Sequence, residues 1–218
     1  MYKVIISLFL LIVSPSQAQP IKLVIESSLM PIVQPFFEDW FHEAGVPYSL
    51  EPCSSARCIK LLEADNSIHG DAARRLGFEE KIPRLTPVGF SYGSLKVYAM
   101  NIHGKTWPPD SNETVSCVRG TFWCERMLDG KNMVWTNSRE QAERMLFRDR
   151  VAWTIMTKSS FHPHPGGKWV CIDTVKAFLF IDKKMKDDIK RLIEAQNRLI
   201  KNGSWQNMQW RHFYEALN

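Results

Sequence analysis

The chain has 218 residues, of which 44% are hydrophobic, and its formal net charge at pH 7 is +5. That length suits one large domain or two small lobes with hydrophobic cores of their own. The basic excess is mild, and the densest charged stretch, residues 182–191, mixes both signs as the solvated face of a helix does. A nucleic-acid binder usually carries a clustered basic stripe, so nucleic acid is not an expected partner.

The first 18 residues have the layout of a secretory signal peptide. Lys3 precedes an uninterrupted apolar run at residues 4–13, and the small residues Ser16 and Ala18 stand before a candidate cleavage site. The run is too short to span a bilayer, and no later segment is apolar enough to do so. We therefore expect residues 1–18 to be removed and the mature protein to be exported in soluble form.

The rest of the chain alternates between strand and helix patterns. Strands are predicted at residues 21–27, 47–52, 71–76, 89–101, 114–118, 132–136, 151–156 and 169–182. Helices are predicted at residues 33–45, 56–64, 121–130 and 138–147, and two more end the chain. Gly45 is a natural stop for the first helix, Ser138 and Gln141 have capping-box spacing, and Ser204 is a candidate cap for the last helix.

Two rounds of strand–helix units predict an α/β protein of two lobes with mixed, mostly parallel sheets. The β-rich runs at 94–101 and 174–181 are spaced to cross between the lobes as a two-strand hinge. We assign residues 19–96 and 181–218 to lobe 1 and residues 97–180 to lobe 2. Ligands of such sheets bind beyond the carboxyl ends of the strands, which places the site between the lobes.

Five cysteines in an exported chain indicate disulfides. We prefer two local pairs, Cys53 with Cys58 and Cys117 with Cys124, which leave Cys171 over. The spacing does not settle the connectivity, and fully reduced thiols are the alternative. Thiol catalysis is not expected, because no cysteine has a histidine near it in the sequence to act as a base.

Several stretches together resemble one known family. They are IKLVIESS at the start of the mature chain, SSARCIKLLEADNSIHGD, IPRLTPVGFSYGSLKVYAM, VSCVRGTFWCERML, REQAERMLFRDRVAWTIM and the closing LFIDKKMKDDIKRLIEAQNRLIKNGSWQNM. In order and spacing they resemble the family 3 periplasmic solute-binding proteins, which include amino-acid receptors of ABC importers. The resemblance implies a type 2 periplasmic-binding-protein fold that closes two lobes over a solute.

The chain departs from that family at one informative point. Its amino-acid receptors commonly hold the ligand's ammonium group with the acid of a Gly-Arg-Val-Asp run, whereas this chain has Asp149-Arg150-Val151-Ala152. The missing acid argues against a standard α-amino acid, and the arginine candidates favour an anionic or polar solute.

The charged candidates for ligand contact lie at the ends of predicted elements. Arg119 and Thr121 flank a strand-to-helix turn, where free backbone N–H groups and the helix dipole favour an anion. The alternative is that Arg119 faces solvent and Gly120 only relieves the turn. Arg74 follows a strand end, where it reaches the cleft or forms an ion pair with Asp71 or Glu79. Arg57 begins a helix, where a structural salt bridge explains it as well as a ligand contact does. Glu26 ends the first strand and is placed to accept a hydrogen bond from a ligand.

The aromatic candidates are Phe90 and Tyr92, which precede the first crossing, and Trp123, in the first turn after Arg119-Gly120. Each is a stacking surface for a ligand or, alternatively, a core residue. Stacking would hold a flat or apolar part of the solute beside the charged contacts.

With these residues, the resemblance implies a monomeric periplasmic binding protein for a small polar or anionic solute, amino acid-like or carboxylate, without cofactor or metal. Its expected partner is an inner-membrane ABC permease, or a sensor protein if the chain serves a signalling system. A dehydratase-like enzyme on the same fold is the weaker alternative, since Glu26 and Asp71 are the only acids placed near the cleft and they form no evident pair.

Overall fold

The computed structural model describes residues 19–121, 124, 132–157 and 167–215. The predicted signal peptide, Trp123 and most of the predicted helix at 121–130 lie outside the described residues. Within the described ranges no helix is both long and apolar enough to cross a membrane.

The strands form one mixed sheet. They are β1 Ile21–Glu26, β2 Tyr48–Cys53, β3 Gly70–Arg74, β4 Leu85–Pro87, β5 Gly93–Asn101, β6 Thr114–Val118, β7 Asn132–Thr136, β8 Trp153–Thr157 and β9 Lys168–Asp182. Their order is β2-β1-β3-β9-β5-β8-β6-β7, and β4 pairs with β9. The pairs β1–β2, β1–β3, β6–β7 and β6–β8 are parallel, while every pair that involves β5 or β9 is antiparallel. The parallel pairs therefore lie toward the two ends of the sheet.

The helices are α1 Met30–Ala44, α2 Ser55–Ala64, α3 Phe78–Lys81, α4 Arg139–Phe147, α5 Lys186–Lys201 and α6 Ser204–Gln209, followed by a π-helical segment, Trp210–Glu215. The short β4 and α3 were not predicted, because three or four residues are too few to show a periodic pattern.

The residues predicted to end or cap a helix are confirmed at two helices and wrong at a third. Gly45 ends α1 with φ +62°, and the hydroxyl of Ser138 accepts a hydrogen bond from the backbone N–H of Gln141 at the start of α4. Ser204 does not cap α6. Gly203 takes that position with φ +78°, and Ser204 is the first helical residue.

The buried side chains form two groups that correspond to two lobes. One group comes from residues 21–95 and 177–213, and the other from residues 97–156 with partly buried side chains of β9. β5 and β9 pair from Gly93↔Ala177 to Asn101↔Lys168 and so connect the two groups. The predicted two-lobed fold with a two-strand hinge is confirmed.

The boundaries of the lobes, 19–96 with 181–218 and 97–180, stay a prediction. Leu179 and Phe180 are fully buried among residues of the first group, although the prediction assigns them to lobe 2. We propose that the second boundary lies near residue 176.

The C-terminal helices return to lobe 1. The indole Nε1 of Trp40 in α1 donates to the carbonyl of Leu192 in α5 at 3.0 Å. Phe36 lies edge-on to Trp205 and Phe213, with ring centroids 5.0 and 5.6 Å apart. Leu192, Ala195 and Leu199 on the apolar stripe of α5 are buried in the same lobe 1 cluster.

Both preferred disulfides are present in the structure. Cys53 bonds to Cys58 with their Cα atoms 5.5 Å apart, and Cys117 bonds to Cys124 with a Cα separation of 6.3 Å. Cys171, the remaining cysteine, is an exposed free thiol on β9.

Candidate ligand-binding site

A cavity of about 50 Å³ lies between the two lobes. It is lined by Glu26, Leu29, Ser55, Ala73, Arg74, Arg75, Leu95, Thr121, Val175, Lys176 and Ala177. Since a buried water needs about 10–15 Å³ by this measure, the cavity has room for about three to five water-sized groups. A carboxylate and its neighbouring atoms are of this size.

The topology of the sheet brings these residues together. Glu26 ends β1 and Arg74 ends β3, two parallel neighbours whose carboxyl ends point the same way. Thr121 follows the end of β6 in the other lobe, and Lys176 lies on β9 between the lobes. The cavity therefore lies beyond the carboxyl ends of strands, where ligands of such folds are expected.

Arg74 is the most firmly held charged residue at the cavity. Its Nε donates to Asp71 Oδ2 at 2.8 Å, and its Nη1 donates to the hydroxyl of Ser55 at 3.1 Å. The guanidinium also lies over the ring of Phe78, 5.0 Å from the centroid. Only 12% of its side chain is exposed. These contacts fix the orientation of the guanidinium fork toward the cleft.

Asp71 is the buried counter-charge of Arg74, with 1% of its side chain exposed. Besides the guanidinium it accepts the backbone N–H of Ala73 at 3.0 Å. Burial raises the pKa of Asp71, and the positive charge of Arg74 works against that rise. The carboxylate is thus committed to holding Arg74 rather than to contact with a ligand.

The charges around the cavity are predominantly positive. Arg74, Arg75 and Lys176 face one lining carboxylate, Glu26. The Ser28 hydroxyl donates to Glu26 Oε1 at 3.0 Å, which uses part of its acceptor capacity. Asp71, behind the lining, offsets the charge of Arg74. This balance favours an anionic group in the cavity.

A second cavity of about 230 Å³ adjoins the first and shares Glu26 and Ser55 with it. Its lining is rich in hydroxyl and amide groups, contributed by Ser27, Ser28, Ser54, Asn137 and Ser138. A solute larger than a simple carboxylate would extend into this space.

The structure brings three of the predicted site residues, Glu26, Arg74 and Thr121, to the first cavity. Arg57 is exposed on α2 and does not line it. Phe90 is 63% exposed and also lies outside the lining. Trp123 is outside the described residues. The ligand contacts of all these residues stay predictions.

Tyr92 is a core residue, which was the alternative to a ligand contact in the sequence-based prediction. It is fully buried among the aromatic side chains of lobe 1, and its hydroxyl donates to the carbonyl of Ala72 at 2.7 Å. It therefore has no surface directed to the cleft.

Two backbone N–H groups at the predicted strand-to-helix turn of lobe 2 are already bonded within the protein. Arg119 donates its N–H to the carbonyl of Thr136 at 2.9 Å, and Thr121 donates its N–H to the carbonyl of Val118 at 3.2 Å. The side chain of Arg119 is exposed and does not line the cavity. The positive charge at the cavity comes from Arg74, Arg75 and Lys176 instead.

Sequence reasoning missed Ser55, Arg75 and Lys176 as lining residues. The position of Ser55 at the start of a helix that follows a strand was a usable signal. For Lys176 the sequence offered no such signal, because a lysine on an exposed β-strand is usually only solvated.

The run Asp149-Arg150-Val151-Ala152, which stands where the family has Gly-Arg-Val-Asp, lies away from this cavity. Asp149 has φ +51° and contacts the ring Nε2 of His103 at 2.6 Å, while Ala152 donates its N–H to the carbonyl of Thr114. Neither residue lines the first cavity. Among the described residues no group of three or more His, Cys, Asp or Glu side chains could hold a metal ion.

No protein-family model and no curated protein matches the chain. Several solved structures do match the chain in fold. The GluR0 ligand-binding core from Nostoc punctiforme in complex with L-glutamate aligns with a TM-score of 0.73 at 13% identity, covering 89% of this chain and 99% of that one. An arginine transport-system periplasmic binding protein from Legionella pneumophila aligns with a TM-score of 0.73 at 9% identity, covering 90% and 100%.

A histidine kinase sensor domain with similarity to periplasmic binding proteins aligns with a TM-score of 0.74 at 11% identity, covering 89% of this chain and 96% of that domain. All three alignments span nearly the whole of the compared chains. At such low identities they establish the architecture and nothing finer. The chain has the two-lobed fold of periplasmic binding proteins, as its resemblance to family 3 predicted.

Proposed function

We propose that this protein is a periplasmic solute-binding protein that captures a small polar or anionic solute, amino acid-like or a carboxylate, between its two lobes. The observation that carries the proposal is Arg74, held at the interlobe cavity by a buried aspartate. An arginine held in this way keeps one N–H on each of Nη1 and Nη2 for an anionic group, and little side-chain entropy is lost on binding.

An ABC importer is the partner we propose first. An amino acid ABC transporter's substrate binding protein and the Legionella protein share the fold over about 90% of this chain, which supports this role. A stand-alone sensor or accessory protein is the second candidate, supported by the kinase sensor domain of the same architecture. Loss of solute uptake in a deletion strain favours transport, whereas normal uptake with a lost transcriptional response favours sensing.

Isothermal titration calorimetry on the mature protein tests the binding function. The panel contains the standard amino acids, small mono- and dicarboxylates, and short peptides, and the protein is refolded from guanidinium chloride with its disulfides intact to remove co-purified solute. We expect saturable 1:1 binding of at least one anionic compound. A panel without any binder contradicts the proposal.

Arginine variants then locate the site. Arg74→Ala should weaken binding of the identified anion at least tenfold, since each charge-assisted bond contributes about 1.5–3 kcal/mol. Arg148→Ala is the matched control, an exposed arginine at the end of α4 that does not line either cavity, and should bind normally. Arg119→Ala tests the sequence-based prediction for that residue. Equal binding by Arg74→Ala and the wild type would remove Arg74 from the site.

A further inference from the structure

The two lobes touch each other through a contact made only of protein atoms. The hydroxyl of Ser55, at the start of α2, donates to the carbonyl of Gly120, which follows β6, at 3.0 Å. Ser55 is 1% exposed. Both partners belong to the protein, so the contact contributes to closure whether or not a solute is bound.

The backbones of the two lobes also approach closely at this point. Gly120 has φ +81°, and a Cβ placed there would lie 2.7 Å from the N atom and 2.9 Å from the Cα atom of Ala56. Real Cβ atoms do not come this close to backbone atoms, and a backbone cannot move aside as the end of a flexible side chain can. Glycine is therefore required at position 120 for the lobes to meet in this way.

The arginine of the cavity orients the Ser55 hydroxyl. Because Ser55 Oγ accepts a hydrogen bond from Nη1 of Arg74, its single proton is available for the carbonyl of Gly120. Arg74 Nη2 lies 3.5 Å from the Ser55 carbonyl as well. The cavity and the interlobe contact thus share one side chain.

Each half of the contact lies in a small loop closed by a disulfide. Ser55 lies between Cys53 and Cys58, and Gly120 lies between Cys117 and Cys124. All four cysteines are at most 3% exposed. A disulfide of this kind limits the conformations that the enclosed backbone can adopt, and so holds Ser55 and Gly120 where they can meet.

We propose that Ser55 and Gly120 form a latch that closes the two lobes independently of solute, and that the two disulfides hold its halves in position. In a protein that exchanges between open and closed states, such a contact raises the closed fraction before any ligand arrives. The latch goes beyond the proposed function, because it depends on the two-lobed fold and not on the identity of the solute.

Small-angle X-ray scattering of the solute-free mature protein tests the latch. Gly120→Ala should increase the radius of gyration and the maximum dimension relative to the wild type, because its Cβ prevents the lobes from meeting. Gly104→Ala is the matched control. Gly104 has φ +71°, and a Cβ placed there would meet no atom within 4 Å, so its variant carries the backbone strain without the collision and should scatter as the wild type does.

Ser55→Ala provides a second test if Gly120→Ala folds poorly. It removes only the hydroxyl, and we expect an opening smaller than that of Gly120→Ala but measurable. If wild type, Ser55→Ala and Gly120→Ala give the same scattering while circular dichroism shows all three folded, the latch is overturned. Calorimetry with the solute panel is a separate measurement, so failure of the latch and failure of the binding function are distinguishable.

The role of the disulfides is tested by the double variants Cys53→Ser/Cys58→Ser and Cys117→Ser/Cys124→Ser. Scattering is measured at a temperature where both remain folded. We expect each to be more open than the wild type, because the loop that carries one half of the latch is released. Wild-type scattering from both folded variants would contradict the positional role of the disulfides.

Discussion

The Nε of Arg74 donates to Oδ2 of Asp71 at 2.8 Å, and the carboxylate that receives it is almost completely buried. Asp71→Asn would leave the guanidinium without its counter-charge in a largely dry environment. We expect a loss of about 3 kcal/mol in the free energy of unfolding, measured by urea denaturation. Solute affinity should fall too, because Arg74 is no longer held toward the cavity.

The control for that variant is Glu43→Gln. Glu43 pairs with Arg198 at 2.8 Å, but both side chains are substantially exposed, at 40% and 55%. Exposed pairs contribute less than about 1 kcal/mol. Equal losses in the two variants would show that burial of Asp71 has no particular importance.

Glu113 predicts a pH dependence of stability. Hydrogen bonds from Lys105 and from the indole of Trp153 lower the pKa of this buried carboxyl. A lowered folded-state pKa stabilises the protein above the unfolded value, near about 4.3, and that contribution is lost as the pH falls through the folded value. Glu113→Gln should therefore lose about 1 kcal/mol relative to the wild type at pH 7, and the difference should shrink below about pH 4.

Urea denaturation of both proteins at pH 7 and pH 3 checks this. Glu194→Gln is the control, since Glu194 is 53% exposed and its oxygen lies 3.9 Å from Lys190, so its variant should differ little from the wild type at either pH. A gap between Glu113→Gln and the wild type that stays constant from pH 7 to pH 3 would refute the prediction.

Gln196 supports the loop that precedes the hinge strand β5. Its fully buried side chain accepts the N–H of Phe90 at 2.8 Å and donates to the carbonyl of Phe90 at 3.0 Å. Gln196→Ala leaves both backbone groups without this partner, and we expect a loss of about 2 kcal/mol in thermal or urea denaturation. Asn197→Ala, on the exposed side of the same helix, should change stability by less than about 0.5 kcal/mol.

Gly70 is required by a close backbone approach. A Cβ at this position would lie 2.0 Å from the carbonyl oxygen of Phe180 on the neighbouring strand β9. Gly70→Ala must displace one of the two strands, and we expect a loss of at least about 3 kcal/mol or failure to fold. Gly45→Ala should lose only about 1–2 kcal/mol, because position 45 has left-handed backbone but no atom within 4 Å. Similar losses from both variants would contradict the steric argument.

Much of the architecture could be read from short stretches of sequence. The aromatic residues of α1 recur at helical spacing, Gly45 ends that helix, and the alternation of strands and helices restarts at residue 114. These signals depend on neighbours within a few positions, where backbone geometry alone determines which side chains share a face. The two disulfides were also predicted, because each closes a loop of only a few residues.

The candidate site was only partly predictable. Strand ends pointed to Glu26 and Arg74, which line the cavity because the carboxyl ends of parallel strands meet at one edge of a sheet. Tyr92 shows what sequence position alone cannot reveal about the site. Its sequence position next to β5 does not reveal that the C-terminal helices cover it, and its hydroxyl partner, Ala72, belongs to a different strand.

The order and type of most elements and the two-lobed α/β class could thus be predicted from local sequence patterns, and the two disulfide loops were the preferred pairing. Only the tertiary structure decided that Ser55 meets Gly120, 65 residues further along the chain, and that Arg74 lies between that contact and buried Asp71. Periodicity and capping act over a few residues, whereas the contacts between lobes depend on how the whole sheet and its hinge bring distant segments together.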